Sequence, residues 1–83
     1  METESRIAMI AIVVEDMSCT AQMNQTLHEY GEYIIGRMGI PYRERNVSLI
    51  SVAVDAPSDV ISAMTGKLGN IDGLNVKTAY SKI

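Results

Sequence analysis

The sequence predicts an α+β domain of two layers, a four-stranded antiparallel sheet with two helices on one of its faces, and three observations lead there. The apolar residues of the 83-residue chain fall into four extended runs and two helical stripes. These segments follow one another as strand, helix, strand, strand, helix, strand. Two of the runs, 7–14 and 47–54, carry little or nothing polar on either alternating face. Successive side chains of a strand point to opposite sides of the sheet, so a strand wetted on one side alternates in polarity. These two strands need cover on both sides and belong in the middle of the sheet.

Met1 to Ser5 is polar and expected to fray, which leaves residues 6–83 as a single domain. The first strand runs from about Arg6 to Val14. Glu15-Asp16-Met17-Ser18 ends it and offers Asp16 or Ser18 as a helix cap, whose side-chain oxygen takes up an unpaired N–H of the first turn. Met23, Leu27, Tyr30 and Ile34 then recur at spacings of four, three and four, one face of a helix. Gly31 is placed to terminate it, between Tyr30 and Tyr33. Tyr33 to Met38 reads as a second strand, interrupted by Gly39-Ile40-Pro41. Proline donates no hydrogen bond to a ladder, so this strand belongs at an edge or carries a bulge there.

Arg43-Glu44-Arg45-Asn46 is a hairpin tip. In the third strand, Val47 to Val54, Ile50, Val52 and Val54 share one face and Val47, Leu49 and Ala53 the other. Asp55-Ala56-Pro57-Ser58-Asp59 opens the second helix, with proline at its first position and acidic residues at the positive end of its dipole. Val60, Ile61, Met64, Leu68 and Ile71 continue at helical spacing, and Gly69 stops it. Asp72-Gly73 turns into the last strand, Leu74 to Ser81, which alternates well enough to be the second edge.

A right-handed crossover between the first two strands leaves room for the third between them, giving the order 4-1-3-2. This is a ferredoxin-like βαββαβ sandwich. The two strands without a polar face are the two that this topology places centrally. Both helices cover one face of the sheet, and the other is left for a partner, most simply a second copy of the chain.

Composition narrows the function. Hydrophobic residues make up 47% and charged residues 20%, a globular balance with no disordered tail. Seven basic against ten acidic residues give a net charge of -3, which repels a phosphate backbone, so direct nucleic-acid binding is disfavoured. Cys19 is the single cysteine and forms no internal disulfide, no charged leader with an apolar segment precedes the first strand, and the longest apolar run is too short to span a bilayer as a helix. These features predict a cytoplasmic protein without membrane contact.

No motif for a cofactor, metal or catalytic residue emerges. His28, the only histidine, lies nine residues beyond Cys19. At about 1.5 Å of rise per residue the two are roughly 13 Å apart on one helix and share no metal within a subunit. Gly66-Lys67 lacks the upstream glycine and the following Ser or Thr of a phosphate loop, and stands at the end of a helix. Arg37, Arg43 and Arg45 supply most of the positive charge in the middle of the chain. Their planar forks suit a carboxylate or phosphate, so Arg43 and Arg45 are candidates for holding a small anion near the hairpin. A solvated hairpin in which they pair with Glu44 or a neighbouring subunit explains the same residues.

Ile12-Val13-Val14-Glu15-Asp16, Leu27-His28, Gly39-Ile40-Pro41-Tyr42-Arg43-Glu44 and above all Gly66-Lys67-Leu68-Gly69-Asn70-Ile71-Asp72-Gly73-Leu74-Asn75-Val76-Lys77-Thr78 resemble the iron-only hydrogenase system regulator family. The resemblance covers nearly the whole chain. That family is in turn similar to the regulatory domains of nickel-responsive repressors and to ACT domains, and the resemblance implies a sensing or assembly module with no catalytic motif. ACT-like domains hold effectors in the loop between first strand and first helix, which makes Asp16 and Ser18 ligand candidates here. Capping and turn formation explain the same residues without a ligand, and are the favoured reading. The stretch matching the repressors' nickel site, Gly36 to Tyr42 and then Val47-Ser48, offers no imidazole or thiolate, so nickel sensing there is not expected.

The expected function is thus a non-enzymatic regulatory or small-ligand-sensing module. It would be a homo-oligomer, dimer or tetramer, paired through the sheet, responding to a small anion or amino acid and acting through a protein partner. The alternative is a small cofactor-free dimeric enzyme of the same fold, with His28 or Tyr33 carrying a proton in a pocket between sheet and helices. A third reading is an obligate subunit of a larger enzyme.

Overall fold

The computed structural model describes residues 4–82. Strand β1 (Ser5–Val14) leads through a 3-10 turn at Met17–Cys19 into helix α1 (Thr20–Glu29). A second 3-10 turn, Gly31–Tyr33, precedes β2 (Ile34–Tyr42), and a third, Arg43–Arg45, joins it to β3 (Val47–Pro57). Helix α2 (Ser58–Gly69) and strand β4 (Leu74–Tyr80) complete the chain. The sheet is antiparallel in the order β2-β3-β1-β4, the predicted ferredoxin-like arrangement with β1 and β3 central.

Alternation within β1 and β3 separates the two faces residue by residue. Ala8, Ile10, Ile12 and Val14 of β1 and Ile50, Val52, Val54 and Ala56 of β3 are buried against Met23 and Leu27 of α1 and Ile61, Met64 and Leu68 of α2. Every residue of this core is apolar, and among the described residues no polar or charged one is buried. Burying an aliphatic side chain of this size contributes about 2 kcal/mol. Tyr30 and Ile34 pack half-buried at the margin, and Ile71 seals the end of α2.

Several boundaries differ from the sequence expectation. Ser5 is already in the ladder, opposite Pro57, while Met1 to Thr3 of the expected frayed end lie outside the described residues. The second strand runs through Gly39-Ile40-Pro41 to Tyr42 because the ladder to β3 continues on its other side, and it carries its irregularity earlier, at Ile35 between Ile34 and Gly36. Ile34 therefore closes the α1 stripe from a strand rather than from the helix. Strand β3 continues to Pro57, so Asp55 faces Ile7 in the sheet and does not cap α2; Pro57 is extended (ψ 148°) as the residue before the first helical turn. Asp59 remains in that turn, accepting from Val60 N at 3.0 Å.

Gly31 does not adopt a left-handed conformation; the positive φ values among the described residues belong to Asn46 (59°), which closes the hairpin, and Gly73 (95°). Helix α1 ends instead in the 3-10 turn, where Tyr30 N and Tyr33 N bond back to the carbonyls of Leu27 and Tyr30. The helix ends are tied together on the surface: Lys67 Nζ lies 3.4 Å from Glu29 and 5.3 Å from the Tyr30 ring centre.

Candidate functional site

One end of the sheet gathers every residue that the sequence marks as a ligand candidate. Val14, the last residue of β1, pairs with Ser48 near the start of β3 and with Leu74 at the start of β4, so the 15–18 loop and the 43–46 turn emerge on the same side. Asp16 is fixed by its own turn. Its Oδ1 accepts from Ser18 N at 3.0 Å and from Ser18 Oγ at 2.7 Å, while its carbonyl accepts from Cys19 N and Sγ. Asp16 caps the 3-10 turn ahead of α1 and not the α-helix itself.

The loop is also fastened to β4. Glu15 N donates to the Gly73 carbonyl at 2.7 Å, and the Asn75 amide donates to the Glu15 carboxylate. Gly73 lies so close beneath that a Cβ there would stand 2.7 Å from Asp16 Cβ. Loop 15–18 is therefore a preformed turn seated on a glycine.

Across from it, Met17 reaches the hairpin. Ser48 Oγ lies 3.8 Å from Met17 Sδ, and Met17, Pro41, Tyr42, Arg43, Asn46 and Ser48 line a small concavity between loop and turn. Of the four candidates, Arg43 lines this hollow, whereas Asp16, Ser18 and Arg45 stand outside its lining. The sequence reading missed Met17 and Tyr42 as members. An exposed methionine in the middle of a polar loop was the available signal.

The arginines divide by face. Arg37 points to the helix side and donates to Asn24 Oδ1 at 2.7 Å, pinning β2 to α1, so it is withdrawn from any anion site. The pairing of Arg43 or Arg45 with Glu44 does not form: the ion pair among the described residues is Lys67 with Glu29. Two exposed guanidinium groups are thus presented on one short turn.

The Ser18 hydroxyl and backbone N–H bonding to Asp16 hold its carboxyl below the usual carboxylate value. A group whose pKa is lower folded than unfolded stabilises the fold above its unfolded pKa, and that contribution is lost as pH falls through the folded value. Asp16→Asn keeps a capping oxygen but not the charge. It is expected to flatten the acid limb of stability below about pH 4, read from urea midpoints measured between about pH 2 and pH 6.

His28 is exposed in the last turn of α1 and, like Tyr33, lines neither this hollow nor the concavity on the open side of the sheet. The pocket between sheet and helices needed for the alternative enzyme is filled by Ile10, Met23, Ile61 and Met64. Among the described residues no three His, Cys, Asp or Glu side chains converge as metal ligands, and no helix is long and apolar enough to cross a membrane.

The open side of the sheet is the other unusual surface. Ile7, Met9, Met38, Ile40 and Leu49 are each at least 38% exposed there.

A family model described as "TM1266-like: Iron-only hydrogenase system regulator, putative" matches residues 6–78. The chain belongs to this family. Among solved structures of TM1266-like proteins, the uncharacterized protein TM1266 from Thermotoga maritima is 39% identical, with a TM-score of 0.91 over 95% of this chain and 100% of that one. A formyltetrahydrofolate deformylase from Pseudomonas putida KT2440 is similar at 14% identity and a TM-score of 0.62, over 88% of this chain and 28% of that one. That likeness is one of fold alone. No curated protein matches the sequence. The TM1266-like match takes in both the 15–18 loop and the 43–46 turn.

Proposed function

We propose that this TM1266-like chain is a non-enzymatic regulatory module that works as a homo-oligomer, assembled through the face of its sheet that the helices leave bare. A small anion or amino acid held at the loop end of the sheet biases the assembly, and the difference is passed to a protein partner. The observation that carries this reading is the exposed apolar surface of β1, β2 and β3. Single exposed apolar residues are ordinary, but a contiguous patch of this kind marks an interaction surface.

The ligand reading draws on Arg43 and Arg45, two guanidinium groups without a carboxylate partner among the described residues, beside the hollow lined by Met17 and Tyr42. Asp16 and Ser18 hold the adjoining loop in shape, which keeps that edge ready for a ligand. Ligand that binds one subunit arrangement better than another shifts the population by its difference in affinity. The family's description as a regulator agrees with this role.

Sedimentation equilibrium tests the assembly: an oligomer is expected, and a monodisperse monomer across the accessible concentrations would remove the basis of the proposal. Thermal-shift measurements with inorganic phosphate and with individual amino acids test the ligand. Stabilisation by one of them, lost in R43A/R45A, is expected; indifference to all would leave the scaffold role alone.

A further inference from the structure

The open face of the sheet has relief, a projecting side chain beside a hollow. Met9, 46% exposed, stands opposite Ala53 on β3 and Ala79 on β4, so a long side chain rises between two methyl groups. One step along the strand, Ala11 lies opposite Ser51, which in turn lies opposite Met38. Ala11 and Ser51 floor a concavity of about 190 Å³ walled by Val13, Leu49, Ile40 and Met38. The projection and the start of the hollow are two residues apart on β1, about 7 Å.

We infer that a second copy of this chain stacks on this face about a two-fold axis that crosses β1 between Met9 and Ala11, each Met9 entering the other copy's hollow over Ala11 and Ser51. In a two-fold interface a patch meets itself, so a projection and a hollow on opposite sides of the axis fill each other twice. Methionine suits the task because its unbranched thioether adapts to an irregular gap.

Area and charge both fit this occupant. Four strands about 4.8 Å apart, over roughly eight residues of length, present on the order of 500 Å². Two copies then bury about 1,000 Å², where specific interfaces begin. Asp55 and Lys77 are the charged strand residues pointing out of this face; Asp55 lies opposite Ile7 toward one end, and Lys77 lies opposite Ala11 but on the outer strand β4, where its long stem can carry the ammonium past the edge into water. An uncharged centre with charges at the rim is the usual anatomy of a protein interface.

This inference rests on the proposed self-association, and the test separates the two. Dissociation constants from sedimentation are compared for the wild type, A11L, and M9A/A11L, with circular dichroism confirming the fold of each. Ala11 is exposed in the monomer, so A11L should fold while filling the hollow that Met9 needs. It is expected to raise the dissociation constant at least about tenfold. M9A/A11L exchanges projection and hollow along the strand and is expected to recover to within about threefold of wild type.

An oligomer indifferent to A11L would overturn the interdigitation and leave self-association standing. A double variant no better than A11L would also count against it. A monomeric wild type would overturn both.

Discussion

Ile10→Asp is expected to leave no folded protein at neutral pH, whereas Met9→Asp next to it leaves the fold intact and abolishes self-association. Ile10 is fully buried between sheet and helices, in a core that offers no polar partner among the described residues. An unpaired carboxylate there costs more than about 4 kcal/mol, comparable with the whole stability expected of a domain this small. Met9 points the other way, and in a monomer its replacement stays in water. In the stacked dimer two such carboxylates would be desolvated at the centre of the interface. Far-ultraviolet circular dichroism separates the folded variant from the unfolded one, and sedimentation reads the association state. A folded Ile10→Asp would contradict the assignment of faces, and an oligomeric Met9→Asp would contradict the proposed interface.

Gly73→Ala is expected to destabilise the protein by about 3 kcal/mol, through two costs acting at one position. Its φ of 95° is one that a residue with a Cβ rarely adopts, and the added carbon would stand 2.7 Å from Asp16 Cβ and 3.4 Å from Cys19 Sγ. Asp16 Cβ is carried by a turn bonded at both ends, so it does not swing aside as a flexible side-chain tip would. Relief requires lifting the 15–18 loop off β4, with loss of the Glu15 to Gly73 hydrogen bond. Urea denaturation measures the loss. An unchanged midpoint would show that the loop is free to shift.

The fold was legible because its decisive signal is periodic. Strand β1 and strand β3 lack a polar face, and that single property places both in the middle of the sheet and asks for cover on each side; which alternating set meets the helices is settled only by the packing. Met23, Leu27, Ile61, Met64 and Leu68 carry the helix stripes and are buried as their spacing requires. Ends were less legible, because a residue at a boundary answers to its neighbours in space. Pro41 sits inside a strand since its partner Ser48 is supplied by β3, and Pro57 precedes a helix after ending a strand.

The candidate site was legible in its parts but not in its arrangement. Asp16 and Ser18 read as a capping turn, and they form one. That Met17 would meet Ser48 across 31 positions, or that Gly73 would press against Asp16, depends on the strand register, which no local pattern contains. Arg37 was the misleading member of the arginine group. Its position in β2 turns it toward Asn24 on the helix side, while Arg43 and Arg45 remain in the turn.

The irregularity at Ile35 bears on how large an assembly can grow. A sheet rim with an unbroken row of free N–H and C=O groups invites further strands and, without limit, a fibril. Here the outer strand carries an extra residue that kinks it near one end and, near the other, a proline that has no N–H to give. Lateral accretion is thereby frustrated at that rim. In the proposed assembly, copies that meet flat side to flat side would close into a finite particle instead of growing along this rim.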